Sequence, residues 1–557
     1  MAAANGHAGE TVSEHLQGDA GFVDGDLYAQ LNGIDNTNIL KGQHKVSRGH
    51  RRVIQVGTGV AGIAQAATLL KNKTLRPEEL IIFDVLKEFG GVWAKNTYPG
   101  CACDVPALMY TNRMMISTQY THVFATGPQI KNFYVQMAHR YGLERCTQFQ
   151  TYVRSCTWDE SNFLWHVETE NQATGNIELW TADVVIHAIG SFDRPKFGGI
   201  PGLDSFKGQW THTGTWKKDF DWVGKRVAVV GCGPSAAQVI PEIVDQCKHL
   251  TVYMRTPPAV LPRGDAKHSS VFMWCLKYLP YFAVYVRFLE IVKGWLFGPL
   301  IIKRGSWLNK LLDKKAREFL EKQISDPELR EKLDREYEFF CNRPLLLDNF
   351  YPALAKPNCT VLREQVTRYT ETGIEARDLK TGEKSFHEFD SIIVGTGYNT
   401  SRFLSHEKIT GMDGTDLQQH WKQYCSTLHA VATYDFPNFF FCNGPNANTF
   451  SSSYHDVNES TSRFIAKCVA TIVGKKDRGI KFAMMPKPER EREYQDMIQR
   501  SLSDTTIQYR GCANHSMKDS NNHNTALTGE HVLAIAWKFR KINWKEWDTI
   551  EKPKTEI

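Results

Sequence analysis

The chain has 557 residues, 42% of them hydrophobic and 23% charged, with a formal net charge of +6 and no long basic block. That length exceeds what one hydrophobic core can organise, so several domains are expected, and the scattered charge argues against nucleic-acid binding. The thirteen cysteines are an odd number without an apolar leader ahead of them, which predicts reduced thiols in an intracellular, cytoplasmic setting.

Residues 1–49 are rich in Gly, Asp and Asn without periodicity and read as an N-terminal extension. The apolar run Val53-Ile54-Gln55-Val56 then leads into Gly57-Thr58-Gly59-Val60-Ala61-Gly62 and a helical pattern, Ile63 to Lys71. A strand, a glycine turn and a helix in that order let backbone N–H groups and a helix N-terminus meet a pyrophosphate. The next strand, Leu80 to Phe83, ends in Asp84. A carboxylate there suits an adenosine ribose and repels a 2′-phosphate; the alternative is a solvated strand end. In Phe89-Gly90-Gly91-Val92-Trp93 the two glycines allow close approach to a planar ring, with Trp93 beside it. Cys101-Ala102-Cys103 lacks the two-residue spacer of a redox pair.

The run Asp183 to Gly190 reads as a buried strand in which His187 is a packed core histidine. A joining segment, Gly190 to Trp216, precedes a second complete signature, Val227 to Val230 followed by Gly231-Cys232-Gly233-Pro234-Ser235-Ala236 and a helical pattern. The strand Leu250 to Met254 ends in Arg255-Thr256, where the first unit has Asp84. A guanidinium at that place takes a 2′-phosphate through a bidentate, charge-assisted pair, so this unit should prefer NADPH; an exposed arginine with no ligand is the alternative.

Ser269 to Ile302 is rich in aromatics but interrupted by Lys277, Pro280, Arg287, Glu290 and Lys293, too often for a membrane span. It reads as a helical insertion covering the active site, with interfacial membrane contact as the alternative. A second strand of the Asp183 type, Asp390 to Gly397, predicts that the chain leaves its first domain near Gly190, builds a second, and re-enters the first near Asp390.

Taken together these residues resemble class B flavoprotein monooxygenases, specifically Baeyer–Villiger monooxygenases of the fungal specialised-metabolism type. Phe206, Gly208, His212 and Trp216 fill the family fingerprint at the joint between two nucleotide folds, with Lys217 where proline or aspartate is usual. Gly90, Gly91, Trp93, Tyr98, Pro99, Gly100 and Asp104 match a second family pattern. The resemblance implies an α/β fold with two Rossmann-like dinucleotide-binding domains, the NADPH domain being inserted into the FAD domain. The implied boundaries are 50–205 for the first part of the FAD domain, 206–389 for the NADPH domain with its helical insertion at about 264–335, and 390–557 for the second FAD part and a C-terminal lid.

FAD is then expected on Gly57, Gly59, Gly62, Asp84, Gly91, Trp93, Asp104 and Tyr110, and NADPH on Gly231, Gly233, Ser235, Arg255 and Thr256. No metal is expected. Arg343, in Cys341-Asn342-Arg343-Pro344, falls in the slot of the active-site arginine, with Asn342 replacing the usual lysine and Asp104 holding the guanidinium in place. The implied reaction takes a ketone of a bulky polyketide or terpenoid intermediate and O2 to an ester or lactone through a flavin C4a-peroxide. Arg343 would stabilise the anionic oxygens. His212 and Trp216 are expected to fix the domain joint, with direct proton transfer by His212 as the alternative. In the lid, Asn514 and His515 replace a serine and a tryptophan, which points to an unusual substrate or altered timing. The competing readings are oxygenation at nitrogen or sulfur, and a flavin-bound cyclase or scaffold that has lost oxygenation.

Overall fold

Val53 to Val56 and Val184 to Ile186 are apolar apart from Gln55, so the strands they form need cover on both faces. In the computed structural model, which describes residues 45–553 apart from 401–402, 451–452, 510, 513–516 and 520, they receive it. The strand Lys45–Val56 pairs in parallel with Leu80–Phe83 on one side and Ile177–His187 on the other. The strand therefore begins inside the stretch expected to be extension, and only residues 1–44 of that stretch lie outside the described residues. Thr151–Asp159 and Leu164–Asn171 extend the sheet in antiparallel fashion, and Lys408–Thr410 closes that edge.

One face is covered by the helices Val60–Lys71 and Tyr454–Asp477, whose Ile63, Leu69, Phe464 and Val469 share a core cluster. The other face packs around Trp165, Phe439 and Phe441. The buried side chain of Gln55 ties down the following turn, donating to the carbonyls of Gly57 at 3.1 Å and Gly62 at 2.9 Å.

The second sheet has five parallel strands in the order Cys359–Leu362, His249–Tyr253, Arg226–Val230, Ser391–Val394, Gln209–His212. This corrects the expected crossing point. The strand Ser391–Val394 lies between two strands of the second sheet, so the chain returns to the first sheet only afterwards, at Lys408–Thr410 and then Phe439–Phe441 beside Ile177–His187. Both sheets accept a buried run of branched aliphatic residues, so the run itself carries no label for its sheet.

Between Tyr253 and Cys359 the chain builds the helices Ser270–Tyr278, Phe282–Ile302, Trp307–Gln323 and Pro327–Leu333. No helix of the described residues is long and apolar enough to cross a membrane. Arg287, which interrupts the apolar pattern in sequence, is buried and donates to Asp456 at 2.7 Å and Glu459 at 2.8 Å, at the start of the long helix Tyr454–Asp477. That ion pair fastens the insertion to the first unit. A buried guanidinium of this kind needs both partners, since removing either would strand a charge in the interior.

Candidate active site

The first glycine turn is built for close approach. Gly57 has φ +102°, and a Cβ there would meet the carbonyl oxygen of Ala188 at 2.8 Å. At Gly62 a Cβ would lie 2.1 Å from the Gly57 carbonyl, so the helix can start this near the strand only without a side chain. The helix Val60–Lys71 has no side chain capping its first turn, with Gly59 at the cap position, which leaves those N–H groups for a ligand. Gly91 stacks on Gly59: it has φ +54°, and a Cβ there would come within 2.6 Å of the Gly59 Cα.

Asp84 stands at the strand end beside this turn, buried. One carboxylate oxygen accepts from the N–H and the hydroxyl of Thr58, both at 2.6 Å, and the other from the Leu86 N–H at 2.8 Å. Burial raises its pKa and these hydrogen bonds act against the rise. Trp93 donates its indole N–H to the Tyr110 hydroxyl at 3.0 Å, and Tyr110 meets the ring of His455 edge-on at 3.9 Å between centroids. His455 in turn bonds Tyr134 through Nδ1 at 2.8 Å. Burial pushes the His455 pKa down to about 3, and nearby Arg287 adds to the shift, so its ring is neutral. The sequence reading missed this histidine, whose partners are drawn from three separate stretches of chain.

The second unit repeats the design. Gly231 has φ +105° with a Cβ position 2.5 Å from the Gly395 carbonyl, and Gly233 opens onto unfilled space at the uncapped start of the helix Pro234–Ile243. Ser235 lies in that first turn, and Arg255 and Thr256 are exposed just beyond the strand His249–Tyr253.

The two units meet through the segment after Trp93. Tyr98 donates to Gln238 Oε1 at 2.9 Å, and Gln238 Nε2 donates to the Ala102 carbonyl at 3.0 Å. Gly100 sits so close to the same helix that a Cβ would fall 2.6 Å from the Gln238 carbonyl. The Tyr-Pro-Gly stretch thus locks one nucleotide unit to the other, a role that nothing in the local spacing announces. Of the four fingerprint residues, Phe206 packs within the second unit beside Tyr253 and Tyr369, whereas Trp216 packs against the cluster that holds Tyr98. Gly208 is wedged between the Asp390 carbonyl and the Phe206 ring, and Trp216 packs edge-on against Phe220 at 5.4 Å. His212 is buried, accepts at Nδ1 from the Gly214 N–H at 2.9 Å, and has its pKa lowered to about 4 by burial. The imidazole is therefore neutral at pH 7 and bonded to its own loop.

Arg343 and Asp104, 239 positions apart, form a bidentate pair, with NH2 donating to Oδ1 at 2.9 Å and Nε 2.8 Å from Oδ2. Asp104 raises the arginine's pKa further, and the guanidinium stays half-exposed, with a side-chain accessibility of 52%. A half-exposed cation fixed by a carboxylate is able to stabilise an oxyanion.

Next to it lies a feature the sequence did not reveal. Cys341, two residues before Arg343, is joined by a disulfide to Cys512, in the segment expected to form the lid. The expectation that all thiols are reduced is corrected for this pair; the other eleven cysteines form no disulfide. Asn514 and His515 lie outside the described residues.

Residues 50–410 match the model of the flavin-binding monooxygenase-like family. The chain belongs to that family. It is 38% identical over 445 residues to an FAD-binding monooxygenase of Botryotinia fuckeliana, covering 80% of this chain and 84% of the relative. It is also 31% identical over 499 residues to a Baeyer–Villiger monooxygenase of Pseudomonas aeruginosa, covering 88% and 89%. Among solved structures, the closed form of cyclohexanone monooxygenase superposes with a TM-score of 0.76 over 92% of this chain and 100% of that one, at 21% identity. This family member therefore shares the two-domain α/β fold of those enzymes.

Proposed function

We propose that this family member is a Baeyer–Villiger-type flavin monooxygenase that holds FAD on the cradle of Gly57, Gly59, Gly62 and Gly91 and NADPH on that of Gly231 and Gly233. It would insert one oxygen atom beside the carbonyl of a bulky polyketide or terpenoid ketone, giving an ester or lactone, in a cytoplasmic setting. The observation that carries this reading is the Arg343–Asp104 pair, a permanent cation whose guanidinium meets both oxygens of a carboxylate that closely follows the stretch interlocking the domains.

When bound, the reduced flavin and O2 supply the activated oxygen. The chain's own part is positional and electrostatic. Arg343 offers charge to the carbonyl oxygen as it becomes an oxyanion, and Asp104 fixes the fork so that no reorganisation is needed at that moment. Phe340, three residues before Arg343, packs edge-on against Phe450 at 5.5 Å between centroids, which adds apolar support to the loop that carries the cation. The test is turnover under oxygen-18 gas with cyclic ketones, sulfides and polycyclic ketones. One labelled atom in an ester is the expected result, and labelled sulfoxide with no ester would overturn the reading.

Cofactor choice should rest on Arg255. Arg255→Ala is expected to weaken NADPH binding by about ten- to a hundredfold, the worth of a charge-assisted pair of about 1.5 to 3 kcal/mol, while leaving NADH nearly unchanged. Steady-state KM values for both cofactors check this. Equal losses would mean that Arg255 serves the fold.

A further inference from the structure

The inner side of the helical insertion is committed to the protein. Leu276 and Ala283 pack with Leu108, four residues beyond Asp104, and Arg287 is fixed by Asp456 and Glu459. Among the described residues the outer side has no such cover. Along Phe282–Ile302 and its flanks, Trp274, Tyr281, Tyr285, Phe288, Leu296 and Trp307 are all exposed, Tyr281 at 83% and Trp307 at 61%. Positions 281, 285, 288 and 296 follow the helical repeat, and the buried Ala283, Arg287, Gly298 and Ile302 follow it on another face. Contact of the Trp295 ring with His531 at 5.2 Å brings up the short helix Val532–Lys538, with Leu533 and Trp537 exposed. An apolar surface this continuous is uncommon on a protein that faces water alone.

Its charge identifies the partner. Residues 266–312 hold seven Lys or Arg and one acid, Glu290, an excess that matches the +6 of the entire chain. Lys277, Lys303 and Lys310 are exposed, and among the described residues no salt bridge joins them to a carboxylate. We propose that this aromatic, lysine-flanked face docks on an anionic lipid surface. Aromatic side chains enter the headgroup region while lysines remain at the phosphates, and the helices lie on the bilayer without spanning it. A second copy of the chain fits less well, because a two-fold contact through this face would set its cationic excess against itself. Since the inner side packs on the segment that follows Asp104, docking places the active-site region over lipid, from which an apolar ketone can be drawn without crossing water.

The test uses the full-length holoenzyme with vesicles of phosphatidylcholine alone or with added phosphatidylserine. Expected is sedimentation with the anionic vesicles only, weakened at least tenfold by half-molar salt. The triple variant K277E/K303E/K310E should lose at least fivefold in partitioning per lysine, and Trp274→Ser with Phe288→Ser should lose about tenfold. Both variants should keep flavin content and activity on a water-soluble ketone. Equal binding to neutral and anionic vesicles, or no binding to either, would overturn the proposal. So would concentration-dependent dimerisation that the aromatic variant abolishes, which would assign the face to a second copy.

Discussion

Arg343→Ala should leave flavin bound and reducible by NADPH while ester formation falls on the order of a hundred- to a thousandfold, the effect of removing one preorganised oxyanion donor. The guanidinium lies outside both glycine cradles, so cofactor binding has no reason to suffer. The loop has independent anchors in the Cys341–Cys512 disulfide and in the pairing of Leu345–Leu346 with Val260–Leu261, so the fold should survive. Arg343→Lys keeps the charge and loses the fork that matches Asp104, and should fall between the two. NADPH oxidation measured beside ester yield separates the steps. An undiminished yield in the alanine variant would remove Arg343 from the mechanism.

Gly91→Ala should yield protein largely without flavin, at least tenfold below the parent in bound FAD. The residue has φ +54°, where an L side chain costs roughly 1–2 kcal/mol, and the new Cβ would press on the Gly59 Cα at 2.6 Å. No side chain is available to move aside, so the glycine turn itself must shift, and with it the N–H groups aimed at the pyrophosphate. Gly59→Ala is the control, because its Cβ meets nothing of the protein nearer than 3.7 Å. It should keep the melting temperature of the parent apoprotein, and any flavin loss there reports on the bound group alone. Normal flavin content in Gly91→Ala would show that the two glycines do not form the cradle's floor.

The fold was legible because its signals are local. Gly57 to Gly62 and Gly231 to Ala236 each follow an apolar run and precede a helix, and such order survives without any knowledge of tertiary contacts. The pairing of Arg343 with Asp104 came from the family frame, since no spacing rule links residues 239 positions apart. Ser391–Val394 was placed in the wrong sheet because branched aliphatic strands are interchangeable until their neighbours are known. Arg287 looked like an interruption of an apolar stretch; only the folded chain brings Asp456 and Glu459 to it. The disulfide was missed for a related reason, as Cys341 and Cys512 carry no local pattern and the cysteine count argued for reduced thiols.

That disulfide has a mechanical meaning. Cys341 belongs to a loop anchored on the second nucleotide unit through Leu345, and Cys512 follows Ile507, which is packed in the core of the first. If the two nucleotide units were to rotate against one another, a covalent link between them would act as a pivot, and displacement grows with distance from a pivot. Arg343 is two residues from it, a lever arm of at most about 7 Å, so a rotation of roughly 10° would carry its backbone only about 1 Å. Residues at the far edge of the second unit would sweep several times further. Any such rotation would leave the cation nearly in place, with the cross-link as its hinge pin.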